Sequence, residues 1–242
     1  MKIIIKKILN KIRLALTGIR HHLIPLPRKF FQKKTPFTMF RDEQLSNCYE
    51  HFKKYFKTSI FISTTRLLRS YAIKEALLND KNCEKYFIEF GVHKGESINF
   101  FSKYVKKIYG FDSFEGLRED WHGTIDLQKR SFDINGEIPK TRPNVTLIKG
   151  WVQDTVENFL IEKKPEINFV HMDLDTYESS KFVLKKIKPY LVKNCIIVFD
   201  ELYNYPGWDV GEYKALSEVF NDNEYKYLAF ADEGTSSVIK II

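Results

Sequence analysis

Residues 86–97 read Tyr-Phe-Ile-Glu-Phe-Gly-Val-His-Lys-Gly-Glu-Ser. A short apolar run carries the acid Glu89, and Gly91 and Gly95 then open a helix. Glycines are needed where a strand turns sharply into a helix and a ligand approaches the backbone. A second short strand, Lys107-Ile-Tyr-Gly-Phe111, ends in Asp112, 23 residues after Glu89. Nucleotide-binding βαβ units place the carboxylate that receives ribose hydroxyls roughly 20 residues on. The two strands together predict an adenosine-containing cofactor.

Working outward, strands are expected at 86–90, 107–111, 144–149, 167–173 and 194–200, alternating with helices near 96–104, 154–161, 178–191 and 211–220. Short, fully apolar strands alternating with helices indicate a parallel sheet covered on both faces. Right-handed connections make it doubly wound. Two last strands, near 225–231 and 236–242, flank Asp232-Glu-Gly-Thr, a turn short enough for an antiparallel hairpin at the sheet edge. The expected fold is therefore α/β, a doubly wound, mainly parallel, seven-stranded sheet with an antiparallel C-terminal hairpin. Helical patterns near 42–57 and 64–79 precede it as N-terminal helices that cap a domain spanning 39–242.

Residues 1–38 read as a basic amphipathic leader and a proline-punctuated linker. Residues 1–34 hold ten Lys/Arg and no acid, and the rest of the chain has 29 Lys/Arg against 31 Asp/Glu. The net charge of +8 thus belongs to the leader, and no nucleic-acid partner is expected for the folded body. Ile5, Ile8, Leu9, Ile12, Leu16 and Ile19 share one helix face. Such a helix can lie on an anionic membrane surface, pack on its own domain or on a second subunit of a homo-oligomer, or serve as an organelle-targeting leader. Interrupting bases make it too polar to span a bilayer. The expected location is cytoplasmic, with peripheral contact at the inner face of a membrane through residues 1–34. His21-His22 reads as solvated. Cys48, Cys83 and Cys195 form no CxxC pair and read as small hydrophobes in a reducing compartment.

The glycine turn is Glu-x-Gly-x-x-x-Gly, and an acid there disfavours the pyrophosphate of a dinucleotide. S-adenosylmethionine, with a sulfonium, an amino group and a ribose but no phosphate, suits Glu89 and Asp112 better. A second constellation, Phe169-Val-His-Met-Asp-Leu-Asp-Thr-Tyr177, closes a core strand, and a third, Cys195-Ile-Ile-Val-Phe-Asp-Glu201, closes the next. Ligands in open α/β sheets bind outside the carboxyl ends of the strands. Asp173, Asp175, Asp200 and Glu201 therefore gather at one crevice. With no cationic neighbour evident they would repel one another, and a hard divalent cation such as Mg²⁺ resolves the conflict. The alternative is helix capping, which Asp175 and Thr176 could supply in either case.

The motifs Glu89–Ser97, Gly110-Phe-Asp-Ser-Phe-Glu-Gly116, Gly150-Trp-Val-Gln-Asp-Thr155, His171–Ser179 and Phe199-Asp-Glu201 occur in this order. Together they resemble the macrocin-O-methyltransferase (TylF-type) family of Mg²⁺-dependent sugar O-methyltransferases, over residues 60–242. The resemblance implies a class I methyltransferase, Rossmann-like sheet with a reversed final strand. It implies Glu89, Gly91, Gly95 and Ser97 around the methionine end of S-adenosylmethionine, Asp112 and Ser113 at its ribose, and Gly150 and Trp151 near its adenine. It implies Asp173, Asp200 and Glu201 as metal ligands and Asp173 as general base. This chain has Asp200-Glu201 where the family usually has Asp-Asp, and Lys193-Asn194 in place of a Gly-Gly turn. The implied reaction moves a methyl group to a hydroxyl of a small molecule or glycan.

Two other readings compete. Asp173-Leu-Asp175 also matches the Asp-x-Asp site of nucleotide-sugar glycosyltransferases, and the basic leader would suit a non-catalytic membrane-surface adaptor. His93 and His171 flank the crevice as candidates for substrate contact or packing. Trp121-His122-Gly123 lies in a long segment, 113–143, that suits a functional loop. Tyr203, Tyr205 and Trp208 are candidates for a sugar platform or for local packing.

Overall fold

A computed structural model describes residues 34–124 and 126–242. The basic leader, His21-His22 and the expectations attached to residues 1–33 lie outside the described residues. From Phe37 onward the chain forms one unit. Its elements run α1 (Pro36–Phe56), β1 (Ile60–Thr64), α2 (Thr65–Asn79), β2 (Tyr86–Phe90), α3 (Glu96–Phe101), β3 (Ile108–Asp112), β4 (Val145–Lys149) and α4 (Val152–Lys163). Then follow β5 (Ile167–Met172), α5 (Tyr177–Ile187), β6 (Leu191–Phe199), α6 (Glu212–Val219), β7 (Tyr225–Glu233) and β8 (Ser237–Ile241).

The strands form one eight-stranded sheet in the order β1-β7-β8-β6-β5-β2-β3-β4. Only β8 is antiparallel to its neighbours, β6 and β7. This is the mainly parallel sheet with a reversed last strand that the hairpin turn at Asp232–Thr235 announces. The sheet has one strand more than the seven expected. Strand β1 pairs with β7 at the edge and leaves Ile60 and Phe61 about half exposed. It buries no clear face, so its sequence lacks the apolar signature of the inner strands. The linker also ends earlier than residue 38, because α1 begins at Pro36. Proline is tolerated in the first turn of a helix, where its missing N–H has no acceptor anyway.

Helices cover both faces. On one, Leu68, Ala72, Ile73 and Ala76 of α2 and Ile98 and Phe101 of α3 pack on Phe87, Phe169, Ile196 and Val198 of the central strands. On the other, α4, α5 and α6 pack on Ile88, Phe90, Val170, Ile197 and Phe199. Alternation along each strand explains the division, since residues two apart share a face. Helix α1 joins the second layer through Phe52, fully buried among the rings of Tyr203, Trp208, Tyr213, Tyr227 and Phe230. That cluster accounts for Tyr203 and Trp208, which are buried as packing. No helix among the described residues is long and apolar enough to cross a membrane.

Truncating Phe52 removes the ring on which α1 docks. Phe52→Ala is expected to cost about 3–5 kcal/mol, read as a lower midpoint in urea unfolding of the full chain.

Candidate active site

The strand register assembles the site. Phe90 of β2 pairs with Phe111 of β3 and with Met172 of β5, and Met172 pairs with Phe199 of β6. Ladder hydrogen bonding continues one residue past these pairs. The N–H of Gly91 donates to Phe111 O at 2.9 Å, Asp173 to Phe90 O at 2.8 Å and Asp200 to Met172 O at 3.0 Å. Gly150, after β4, donates to Asp112 O at 2.9 Å. The residues singled out from four separate stretches thus stand side by side at the carboxyl edge of the sheet. Gly91 has φ +86°, and a Cβ there would lie 1.6 Å from the carbonyl oxygen of Asp173. The glycine is required by the neighbouring chain as well as by the turn.

A cavity of about 300 Å³ opens at this edge. Gly91, Asp112, Ser113 and Trp151 line it on one side, and Asp173, Asp175, Asp200 and Glu201 on the other. Asp112 holds its rim together. Its Oδ2 accepts from the N–H groups of Val92 and His93, both at 2.7 Å, and its Oδ1 from Phe114 N–H at 2.6 Å. Trp151 precedes α4, with the guanidinium of Arg118 5.7 Å from its ring centre. His93 lines the cavity with φ +47°.

Glu89, Gly95, Ser97 and Gly150 do not line the cavity. Gly95 begins α3 at φ +80°, and Gly150 makes the turn before Trp151 at φ +137°. Glu89 is fully buried behind Gly91, where Ser97 Oγ donates to its Oε1 at 2.8 Å. Its Oε2 lies 3.2 Å from Nδ1 of His171, itself fully buried. Nε2 of the same ring lies 3.5 Å from Asp200 Oδ1. Each ring nitrogen of the buried imidazole thus faces a carboxylate. Burial lowers the His171 pKa, but Asp200 and Glu89 outweigh it and hold the imidazole above its ordinary value.

Arg69 of α2 corrects the expectation that the acids have no cationic neighbour. Its Nη2 donates to Asp200 Oδ1 at 2.6 Å and lies 3.9 Å from Asp173 Oδ2. Burial pushes Asp200 up, but His171 and Arg69 prevail and hold it below the usual carboxylate range. The remaining acids go the other way. Burial, then the charges of neighbouring carboxylates, raise Asp173 and Glu201 well above their ordinary values and push Asp175 up to about 7.

These side chains fall into two groups whose ligand atoms lie within 4.8 Å of one another: His171, Asp173 and Asp200, and Asp173, Asp175 and Glu201. Asp173 belongs to both, whereas Asp200 and Glu201 divide between them. The second group is all carboxylate, the chemistry a hard cation prefers. Its Glu201 has a buried Oε2 without a hydrogen-bond partner. The donor set and the unmet oxygen fit a divalent ion.

Glu212 completes the cluster and was not singled out from the sequence. It is fully buried in the first turn of α6, its Oε2 accepting from Glu201 N–H at 3.2 Å and its Oε1 from Leu174 N–H at 3.4 Å. The expected cap of α5 is also different. Thr176 stands at the N-cap but its side chain makes no capping bond, and Asp175 adopts φ +62°. Glu119 caps instead, Oε1 accepting from Glu178 N–H at 3.2 Å. Trp121 sets its ring edge-on to buried Tyr205, centroids 6.1 Å apart, and Gly123 abuts Gly207. The loop that carries Glu119 and Trp121 is therefore pinned to the turn after β6, and Tyr205 serves packing.

Comparison with known proteins follows this geometry. Residues 88–202 match the family model described as "Methyltransferase domain". Among solved structures, CalS11, a calicheamicin methyltransferase, superposes with a TM-score of 0.60 at 22% identity, covering 91% of this chain and 98% of that one. The apo structure of CalS11, described as a TDP-rhamnose 3'-O-methyltransferase of calicheamicin biosynthesis, gives 0.54 at 22% identity, covering 89% and 99%. No curated protein matches the chain. The fold is that of the class I methyltransferases, and the stretch that matches a methyltransferase domain, residues 88–202, is a little under half of the chain.

Burial, then the charges of Asp173 and Asp175, raise the Glu212 carboxyl well above the usual glutamate range. An acid raised on folding costs stability increasingly as pH climbs from its unfolded toward its folded pKa. Glutamine is neutral at every pH but keeps one acceptor where both carboxylate oxygens receive backbone N–H groups, a loss of about 1–3 kcal/mol that does not depend on pH. Glu212→Gln is therefore expected to lower the melting temperature at pH 5 and to recover progressively relative to wild type as pH rises to 8, at about 2–4 °C per kcal/mol in a chain of this size. Melting curves across that pH range check it.

Proposed function

We propose that the chain is an S-adenosylmethionine-dependent O-methyltransferase of the macrocin-O-methyltransferase kind, acting on a hydroxyl of a sugar or glycoside with Mg²⁺ in the site. The observation that carries the reading is one cavity with ribose-type partners, Asp112 and Ser113, at one side and the acidic group Asp173, Asp175 and Glu201 at the other. The description of CalS11 as a methyltransferase of a rhamnose hydroxyl supports the acceptor class.

S-adenosylmethionine supplies an electrophilic methyl group on a sulfonium. Asp112, its orientation fixed by three backbone amides, keeps one acceptor site, on Oδ1, for a ribose hydroxyl, and Ser113 and Trp151 flank the same wall. Gly91 lets the backbone of Asp173 come close beside it, which brings the acid to the same cavity. Glu89 acts from behind, adding negative potential near the cationic end while His171 and Ser97 hold it.

A divalent cation on the carboxylates would lower the pKa of an acceptor hydroxyl. Asp173 receives the proton from that hydroxyl at a carboxylate oxygen, and holding the two reactants in line supplies much of the rate. A second cavity of about 210 Å³ shares Trp121, Asp175 and Thr176 with the first and adds Glu119, His122 and Lys214. Hydrogen-bonding groups beside an indole ring suit a sugar.

The glycosyltransferase reading has no support from the fold. The membrane-surface role rests on residues 1–34 and remains a proposal testable by vesicle flotation with and without that segment.

Radiolabelled methyl transfer to a panel of glycosides and nucleotide sugars, with and without EDTA, tests the function. Asp173→Asn is expected to abolish turnover, by roughly 10²-fold or more, with S-adenosylmethionine affinity held within about twofold. Label transferred to no hydroxyl acceptor, or turnover indifferent to EDTA, overturns the reading.

A further inference from the structure

Arg69 stands against the acids on which the proposed function places a divalent ion. Its helix is fixed: Leu68, Ala72, Ile73 and Ala76 around it are fully buried on the sheet. The guanidinium therefore reaches the carboxyl edge from a rigid base. One nitrogen carries its contacts to both Asp200 and Asp173, while its Nε is buried without a hydrogen-bond partner. Asp200 Oδ1 is also crowded, because Ser236 Oγ donates to it at 3.3 Å and His171 Nε2 lies 3.5 Å away.

The charges decide what this arrangement does. Glu89, Asp173, Asp175, Asp200, Glu201 and Glu212 gather here, against Arg69 and His171 as the basic side chains among the described residues in contact with them. A single guanidinium on Asp200 cannot neutralise the Asp173, Asp175 and Glu201 group, so it does not replace an ion. It does occupy Asp200, one of the ligands the family resemblance implies, and it repels any cation that approaches Asp173.

We propose that Arg69 is a built-in competitor of the divalent cation, a positioning residue that holds Asp200 away from the ion and limits its affinity. The inference rests on the metal-dependent reading above. It predicts that the ion is held weakly and is readily exchanged, with Asp200 engaged on the side of Arg69 and His171.

The test is Mn²⁺ binding to the full chain by calorimetry, without cofactor or acceptor. Arg69→Gln, and Arg69→Met as a second variant that keeps the aliphatic stem, are expected to bind Mn²⁺ about tenfold or more tightly than wild type, the equivalent of ~1.4 kcal/mol. Arg69→Lys, which keeps the charge, is expected to stay within about threefold of wild type. The gain should vanish when Asp200→Asn is added, because the freed carboxylate is its source. Thermal melts establish that each variant is folded. Measurable Mn²⁺ binding in wild type with equal or weaker binding in both neutral variants overturns the Arg69 inference and leaves the metal reading standing. Absence of binding in wild type and every variant overturns both. Binding that appears only when Arg69 is neutralised supports the inference.

Discussion

Negative charge crowded into low dielectric at the carboxyl edge of β5 and β6 is the constraint that orders this molecule. Two like charges 4 Å apart repel by about 4 kcal/mol at an effective dielectric of 20, and several such pairs meet here. The surrounding elements read as responses to that repulsion. Helix α2 brings Arg69, β5 brings His171, and α6 presents Glu212, its carboxyl raised by burial and the neighbouring charges. The aromatic layer around Phe52 packs beneath the same turn and fixes the backbone that carries Tyr203 and Tyr205. Burial and repulsion favour the protonated forms of Asp173, Asp175 and Glu201, and a cation bound among them would favour the ionised forms instead.

Register turns this chemistry into geometry. On the face covered by α2 and α3, successive layers along the central strands run from Phe87, Phe169 and Ile196 to Glu89 and His171, and then to Asp173 and Asp200. Polarity thus increases toward the cavity in steps of two residues, the period of a strand. Glu89 and His171 form an intermediate layer, buried yet polar, that links the wall beneath Gly91 to the acids. The Glu89–His171–Asp200 contacts join the two ends of the cavity in one column. A charge change at either end is therefore felt at the other with little solvent screening.

Much of this was legible in the sequence. The alternation of apolar strands and helices, the final hairpin and the acids at strand ends each follow from local pattern, and pattern is what secondary structure and strand-end position depend on. Strand β1 was not legible because Ile60 and Phe61 lie at an edge and bury little. The role of Glu89 was displaced by one layer, since a sequence shows that an acid ends an apolar run but not that Ser97 and His171 enclose it. Arg69 and Glu212 left a signal that was readable in principle. Arg69 precedes Ala72, Ile73 and Ala76 by three, four and seven positions, and Glu212 precedes Ala215 and Leu216 by three and four. Each is a charged residue on the buried stripe of its helix, where it requires a partner or a neutral form.

The Asp200-Glu201 pair, where the family resemblance leads one to expect Asp-Asp, follows from the same geometry. Asp200 and Glu201 lie in the bend just past β6, and their side chains part. Asp200 accordingly joins His171 and Arg69 on the α2 side, and Glu201 joins Asp173 and Asp175. The backbone N–H of Glu201 is held by Glu212, so its starting point is fixed and the extra methylene serves only reach. A glutamate here is therefore a coherent partner for an arginine at position 69: one lengthens the second group of acids while the other occupies the first.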